Sequence, residues 1–270
     1  MSGRTDYILG KYKKNKIDLS FVNNLSCNYI EALAKIEDNN LQKKLLKELI
    51  QKYVALEKRV DALLKNTLPE NVAEEIKYEG KFAPHLYECT ILFTDFVGFT
   101  HLAEKISAEV LINVLDKLFK KFDDLIISFH GTKIKTIGDA YMAVFGAPIE
   151  YDEHAVMAVR AGLALLNLVN TFNKENNQNF QMRLGIHTGK VMAGVVGKER
   201  MQFDVFGDNV NIASRFESSG KEGKVNVSYE TYKKIRHLFE FEKRGQISLK
   251  NKANMKAYFA LRELKKGADK

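Results

Sequence analysis

Cysteine is nearly absent: Cys27 and Cys89 are the only two in 270 residues, and they stand far apart without the spacing of metal ligands. That argues against a disulfide scaffold and a cysteine-based zinc site. No stretch approaches the ~18 consecutive apolar residues that would suggest a membrane-crossing helix, so none is expected. The N-terminus is polar and basic and lacks the apolar centre of a signal peptide, which makes a cytoplasmic protein the expectation. Internal repeats and low-complexity tracts are missing as well. What is present is 45% apolar residues, enough for one sizeable core or one domain with an appendage. The formal net charge of +8 favours anionic partners such as nucleotides, nucleic acid or an anionic membrane. Apart from a KYKKNK cluster at Lys11 to Lys16, however, the lysines are spread along the chain, so plain lysine enrichment accounts for the charge equally well.

Residues 1–40 are weakly patterned. From Leu41 the sequence turns helical, and Leu46, Leu49, Tyr53, Leu56, Val60, Leu63 and Thr67 recur in steps of three and four with Lys and Glu on the flanks. This is a seam of about three heptads, which suits a parallel coiled coil or one amphipathic helix laid on its own domain. Pro69 limits the helix, and Glu70 to Tyr78 predicts a further short helical turn. Residues 41–84 thus form a helical linker segment, followed by a domain over 85–265. Within it Tyr87 to Thr100 (YECTILFTDFVGFT) predicts a buried strand and a glycine turn, and Ala108 to Phe129 a helix. Lys133 to Gly146 (KIKTIGDAYMAVFG) predicts two strands joined at a tight Ile-Gly turn. Asp152 to Phe172 predicts a helix with acidic residues at its N-terminus. Phe180 to Gly197 predicts strands punctuated by glycines, Phe203 to Phe206 a strand, and Asp208 to Ser218 a helix. Val225 to Val227, Phe239 to Lys243, Ile247 to Lys250 and Lys256 to Leu261 are further short strands. The order strand, helix, strand, strand, helix, strand suggests an α+β, ferredoxin-like (βαββαβ) core with a C-terminal extension.

Two carboxylates attract attention. Asp95 ends a hydrophobic strand just before a turn whose backbone N–H groups are free, an arrangement suited to a cation bound to phosphate. Asp139 lies in the hairpin turn. With the hairpin beside the first strand, both carboxylates face one point, and carboxylates with substrate phosphates are the ligands Mg²⁺ prefers. Each aspartate also has an ordinary reading, Asp95 as a turn former or helix cap and Asp139 as a plain hairpin residue.

FTDFVGFT, KTIGDAYMAVFG, GIHTGKVMAGVVG and FDVFGDNVNIASR resemble, in order and spacing, the catalytic domain of class III nucleotidyl cyclases, the adenylate and guanylate cyclases. The resemblance runs from about Glu88 to Leu261. The diguanylate cyclases, which share the palm-type core, need a GG(D/E)EF-like hairpin, and this chain reads TIGDAY there. The resemblance implies a palm-type fold and roles for matching positions. Asp95 and Asp139 match the ligands of two Mg²⁺ or Mn²⁺ ions. The turn containing Phe96, Gly98, Phe99 and Thr100 matches the loop that wraps the phosphates. Lys135 and Asp204 match the base-reading pair, typically Lys and Asp for adenine and Glu and Cys for guanine. Asn211 and Arg215 match the pair that orients the ribose and stabilises the transition state. Lys250 matches a basic residue on the terminal phosphates. His187 is common at its place in the family and reads as structural, whereas Arg200 is a further phosphate contact to test.

The family's active site lies between two subunits, so the resemblance implies a homodimer with two equivalent sites, ATP as substrate, and a heptad helix that pairs the chains. Lys135 and Asp139, close in sequence, then need not serve one site. One departure stands out: the usual Lys-Gly-Lys-Gly phosphate segment is Lys250-Asn251-Lys252-Ala253 here. Leu63 to Ile76 (LLKNTLPENVAEEI) resembles the linker that carries signals into such cyclases, which points to an upstream or trans-acting regulator, and no sensor is recognisable in the first 80 residues. The competing readings are a catalytically silent nucleotide-binding module, which would be expected to have lost a metal Asp or the Asn/Arg pair, and a cyclase with guanine or pyrimidine preference.

Overall fold

A computed structural model describes residues 39–99, 107–197, 200–247 and 254–264. The chain divides into two compact units, 1–63 and 64–270. The described part of the first unit is helical. Helix α1 spans Asn39–Lys65, and Thr67, the last position of the heptad pattern, falls in the turn beyond it with its hydroxyl on the carbonyl of Leu64. Along α1 the seam is open to solvent: Leu46, Tyr53, Leu56, Val60 and Leu63 are all exposed.

The second unit starts with the end of α1 and helix α2 (Glu70–Glu79), whose Val72 and Ala73, with Leu68 before it, are buried beneath the sheet. Then follow strand β1 (His85–Val97), helix α3 (Ala108–Ser128), strands β2 (Gly131–Ile137) and β3 (Ala140–Phe145), helix α4 (His154–Asn176) and strand β4 (Gln181–Val196). The order β2-β3-β1-β4, all antiparallel, is that of two interleaved βαβ units, the ferredoxin-like arrangement. The extension adds β5 (Gln202–Phe206) and β6 (Val225–Ser228), both paired to β4, and β8 (Met255–Glu263) and β7 (Phe239–Ile247) beyond β6. Helix α5 (Asp208–Ser218) and the short α6 (Tyr229–Ile235) complete it; α6 has no counterpart in the sequence reading.

Two expectations are corrected. The glycines of Phe180 to Gly197 do not punctuate separate strands. They lie within one continuous β4, whose partner β1 pairs with it from His85↔Ala193 to Val97↔Gln181. Phe239 to Ile247 is likewise one strand, whose register shifts near Gly245 mimic a break in the sequence pattern.

The sheet separates two cores. On one face, α3 and α4 bury Leu118, Phe122, Ile126, Leu165 and Phe172 against Leu92, Leu184 and Ile186. On the other, Ile91, Phe93, Met142 and Val191 meet α2, β5 and Ala213 of α5. Helix α4 has the length and composition of a membrane span, with mean hydropathy 1.5, although Arg160, Asn167 and Asn170 interrupt its apolar run. Its spacing Ala155, Ala158, Val159, Gly162, Leu165, Val169 and Phe172 lays that apolar surface on β1 and β4.

Candidate active site

The β2–β3 turn is two residues long, between Ile137 and Ala140. Gly138 has φ of 63° and Asp139 remains at negative φ, the type II′ pattern for which glycine at the first position is required. Thr94 of β1 lies opposite Tyr141 of β3, which brings the next residue, Asp95, level with the turn. The two carboxyl groups meet there. Burial first, and the neighbouring charge of Asp95 second, raise the Asp139 carboxyl above the ordinary range. Two half-buried carboxylates pressed together despite repulsion form a donor set for a hard divalent cation. Among the described residues no third His, Cys, Asp or Glu joins them as a ligand group, so the remaining ligands would be water or substrate oxygens.

Two residues at this site escaped the sequence reading. Arg183 of β4 sits directly opposite Asp95, with Nη2 2.7 Å from Asp95 Oδ2. Its Nη1 reaches the carbonyl of Ser218 at the end of α5, at 3.4 Å. Its Nε lies 3.2 Å from Glu217 Oε1, close enough for an ion pair, yet the two atoms are misaligned for a hydrogen bond and have no other partner. Burial, then the charge of Asp95, pushes the Glu217 carboxyl up to about 7. The detectable signal was the alternation Arg183, Gly185, His187, Gly189, one face of a strand with two positions bare.

Lys135 owes its direction to a bulge. Lys133 pairs with Ala143 and Lys135 with Met142, so β2 has one extra residue between them. Strict alternation would put Lys135 on the face of Lys133, which bonds Asp123 of α3 at 2.8 Å. The bulge turns it to the opposite face. There its Nζ lies 2.5 Å from Asp204 Oδ2 of β5, while Asp204 Oδ1 accepts the backbone N–H of Val205. Lys135 and Asp139, four residues apart on one hairpin, therefore belong to two separate clusters. That separation explains a cation and an anion so close together in sequence.

Helix α5 buries Ile212, Ala213, Phe216 and Glu217. Asn211 and Arg215, one turn apart, lie on the other face; Asn211 is exposed and Arg215 half-buried. The helix face that reaches Arg183 is thus not the one that carries Asn211 and Arg215. The phosphate-loop residues divide. Phe96 is still in β1, and its ring is core, against Phe122 and Phe180, so only its backbone is available to a ligand. Gly98 turns with φ of 71° and Phe99 packs at the core edge. Arg200 stands exposed before β5. Thr100 and Lys250 lie outside the described residues, as do the Asn251 and Ala253 departures.

A model of the adenylate and guanylate cyclase catalytic domain matches residues 83–262. The chain belongs to this family. It is a nucleotidyl cyclase catalytic domain with a helical segment before it. The cyclase is 40% identical over 233 residues to atrial natriuretic peptide receptor 2 of Homo sapiens, across 84% of this chain and 22% of the receptor. It is 36% identical over 205 residues to an adenylate cyclase of Mycobacterium bovis, across 75% of this chain and 46% of that enzyme. The chain thus spans less than half the length of either relative. Among solved structures, the guanylate cyclase domain of RhGC from Catenaria anguillulae in complex with GTP superposes with a TM-score of 0.65 at 32% identity, over 67% of this chain and all of that one. Relatives of both base preferences surround the cyclase, so overall similarity does not choose its nucleotide.

Proposed function

We propose that this cyclase converts ATP to 3′,5′-cyclic AMP and pyrophosphate in the cytoplasm, at two equivalent sites of a homodimer. The observation that carries the reading is the pairing of Lys135 with Asp204. Adenine offers an acceptor at N1 and a donor at its 6-amino group, so a lysine donor beside a carboxylate acceptor complements its edge. Guanine presents N1–H and a carbonyl, the reverse pattern, and a glutamate would serve it better. The ion pair also keeps both side chains in place before the base arrives, so less ordering is left for binding.

Support for a shared site comes from α5. Its inner face is occupied within its own chain, whereas Asn211 and Arg215 face away from that core, where a second chain can present its nucleotide. In this reading Asn211 orients the ribose. O3′ attacks the α-phosphorus in line, the bond to the pyrophosphate oxygen breaks, and the 3′-hydroxyl proton leaves to solvent or substrate. Arg215 stabilises the charge that develops on the α-phosphoryl group. Asp95 and Asp139 would hold the divalent ions; when bound, these supply a lowered 3′-hydroxyl pKa and neutralise the triphosphate. The helical segment Leu63 to Ile76 would couple the domain to an upstream or trans-acting regulator.

The test is turnover of ATP, GTP, CTP and UTP side by side with Mn²⁺, over a range of protein concentrations. Cyclic AMP as the dominant product, with specific activity rising as the chain dimerises, is the expected result. Dominant cyclic GMP would overturn the base assignment. A folded dimer that binds ATP and makes no cyclic product would leave a silent module.

A further inference from the structure

Arg183, Gly185, His187 and Gly189 alternate along one face of β4, and α5 lies on that face. A Cβ at Gly185 would stand 2.0 Å from the backbone nitrogen of Glu217; one at Gly189 would stand 2.4 Å from Cγ of Asn209. The two bare positions therefore seat the two ends of the helix. Between them, the His187 ring stacks on Phe216 of α5, with centroids 6.2 Å apart. Its Nε2 lies 2.9 Å from Asn209 Oδ1, and Asn209 Nδ2 donates to the carbonyl of Lys190 at 2.8 Å.

The contacts fix the hydrogens. A backbone carbonyl only accepts, so Asn209 presents its oxygen to His187, whose Nε2 must donate. Burial holds both His187 and His154 below the ordinary imidazole value. A neutral His187 then accepts at Nδ1, from Ser228 Oγ at 2.8 Å. Ser228 lies 3.2 Å from Thr231, Thr231 3.0 Å from Thr188, and Thr188 2.8 Å from Thr90. Thr90 lies 2.7 Å from His154 Nδ1. One hydrogen per contact requires every hydroxyl to donate in the same direction, from His154 Nδ1–H to His187 Nδ1. The thread starts at His154, the first residue of α4, rounds the end of β6 at Ser228, and finishes at His187 of β4, against the first turn of α5.

We infer that His187 and Asn209 are positioning residues: their hydrogen bond sets the roll and seat of α5, and so the placement of Asn211 and Arg215, while Asn209 holds His187 in the Nε2–H tautomer and the threonine–serine thread carries that order to His154. The inference rests on the reading that Asn211 and Arg215 act on the nucleotide. A misplacement of those side chains costs turnover more than affinity, because the base pair and the carboxylates bind elsewhere.

The experiment compares Asn209→Thr with Asn209→Val in the full chain. The two side chains share a shape, but only the threonine hydroxyl can accept from His187 and donate to Lys190. Asn209→Thr is expected to keep kcat within about threefold of the parent, and Asn209→Val to lose about 10- to 100-fold with KM for ATP little changed. In the parent, ¹⁵N spectra should show His187 as the Nε2–H and His154 as the Nδ1–H tautomer; Thr188→Val should release His154 to the Nε2–H form and leave His187 unmoved. Equal kcat in Asn209→Thr and Asn209→Val, or an Nδ1–H tautomer at His187, would overturn the inference. Asn211→Ala and Arg215→Ala report on the underlying reading: full activity in both would remove it, whereas their inactivity beside an unimpaired Asn209→Val would remove only the latch.

Discussion

Arg183 Nη2 lies 2.7 Å from Asp95 Oδ2, directly across from it on the neighbouring strand, so the carboxylate pair already has a cation on one side. Among the described residues Asp139 has none, and the largest cost at its carboxyl is burial, followed by the charge of Asp95. A carboxyl raised above its unfolded value contributes stability while protonated and loses it as pH rises through the folded value. Ionising Asp139 beside Asp95 therefore costs the fold stability, which a bound cation would offset. Asp139→Asn is expected to abolish cyclisation yet raise Tm by about 2–4 °C, the response to on the order of 1 kcal/mol. Mn²⁺ should raise Tm in the parent and leave the variant unmoved. A variant that melts lower and still responds to Mn²⁺ would remove Asp139 from the metal site.

Glu217 gives the pH dependence a definite window. Its carboxyl rises from 4.5 to about 7 in the fold through burial, then the charges of Asp95 and Asp139, against the pull of Arg183. The raised value means that its contribution is complete below about 4.5 and disappears as pH climbs to about 7. Urea unfolding of the parent should lose on the order of 2–3 kcal/mol across that interval. Glu217→Gln, neutral throughout, should lose less than the parent across that interval and be more stable than the parent at pH 8. Identical pH slopes for the two proteins would show that the carboxyl is not the titrating group.

Much of this could be read from the sequence, and the omissions have physical causes. The two carboxylates, the hairpin turn and helix Asp208–Ser218 were legible because each depends on local signals: an apolar strand with a terminal Asp, a glycine turn, and helical spacing. The family resemblance supplied Lys135 and Asp204, but the bulge that aims Lys135 at Asp204 is a register event between strands and has no local signature. Gly185 and Gly189 looked like strand breaks because glycine usually is one; here the bare backbone makes room for a helix supplied twenty residues later. Arg183 and Glu217 were missed for the same reason: their roles exist only once β4 and α5 are packed together.

Gly185→Ala tests that packing. An added Cβ would meet the backbone of Glu217 at 2.0 Å, and backbone cannot rotate away as a side chain can. The helix must lift, with an expected cost of about 1–3 kcal/mol and a fall in kcat. Gly194→Ala, on the same strand, is the control. Its Cβ would meet Pro84 at 3.6 Å, an ordinary contact, so stability and activity should hold. Similar behaviour of the two variants would mean that α5 is not seated by the glycine gap.

Base choice is tested by exchange rather than removal. Lys135→Glu with Asp204→Cys reverses the donor and acceptor order of the pocket while leaving Asp95, Asp139, Asn211 and Arg215 in place. The expected outcome is a shift in kcat/KM from ATP towards GTP by about 100-fold or more, as when hydrogen-bonding groups in a polar pocket are mismatched. Loss of ATP turnover without gain for GTP would place the decisive base contacts elsewhere.

The seam on α1 bears on assembly. Leu46, Tyr53, Leu56, Val60 and Leu63 are all exposed, at heptad spacing on one 27-residue helix. A continuous apolar stripe of this kind is costly in water unless a second stripe covers it, and a copy of the same chain offers an identical one. Leu56→Glu with Leu63→Glu puts charge into two successive turns of the stripe. Each lost leucine contact removes about 1.5–3 kcal/mol of burial, so the dimer constant measured by sedimentation should weaken by more than about 100-fold. Because these leucines are exposed within their own chain, the Tm of the catalytic unit should remain that of the parent. Specific activity should then depend steeply on protein concentration and recover when the chains are crowded together. An unchanged dimer constant would mean that the chains pair through the catalytic unit alone, and that the seam on α1 is covered by something other than its own copy.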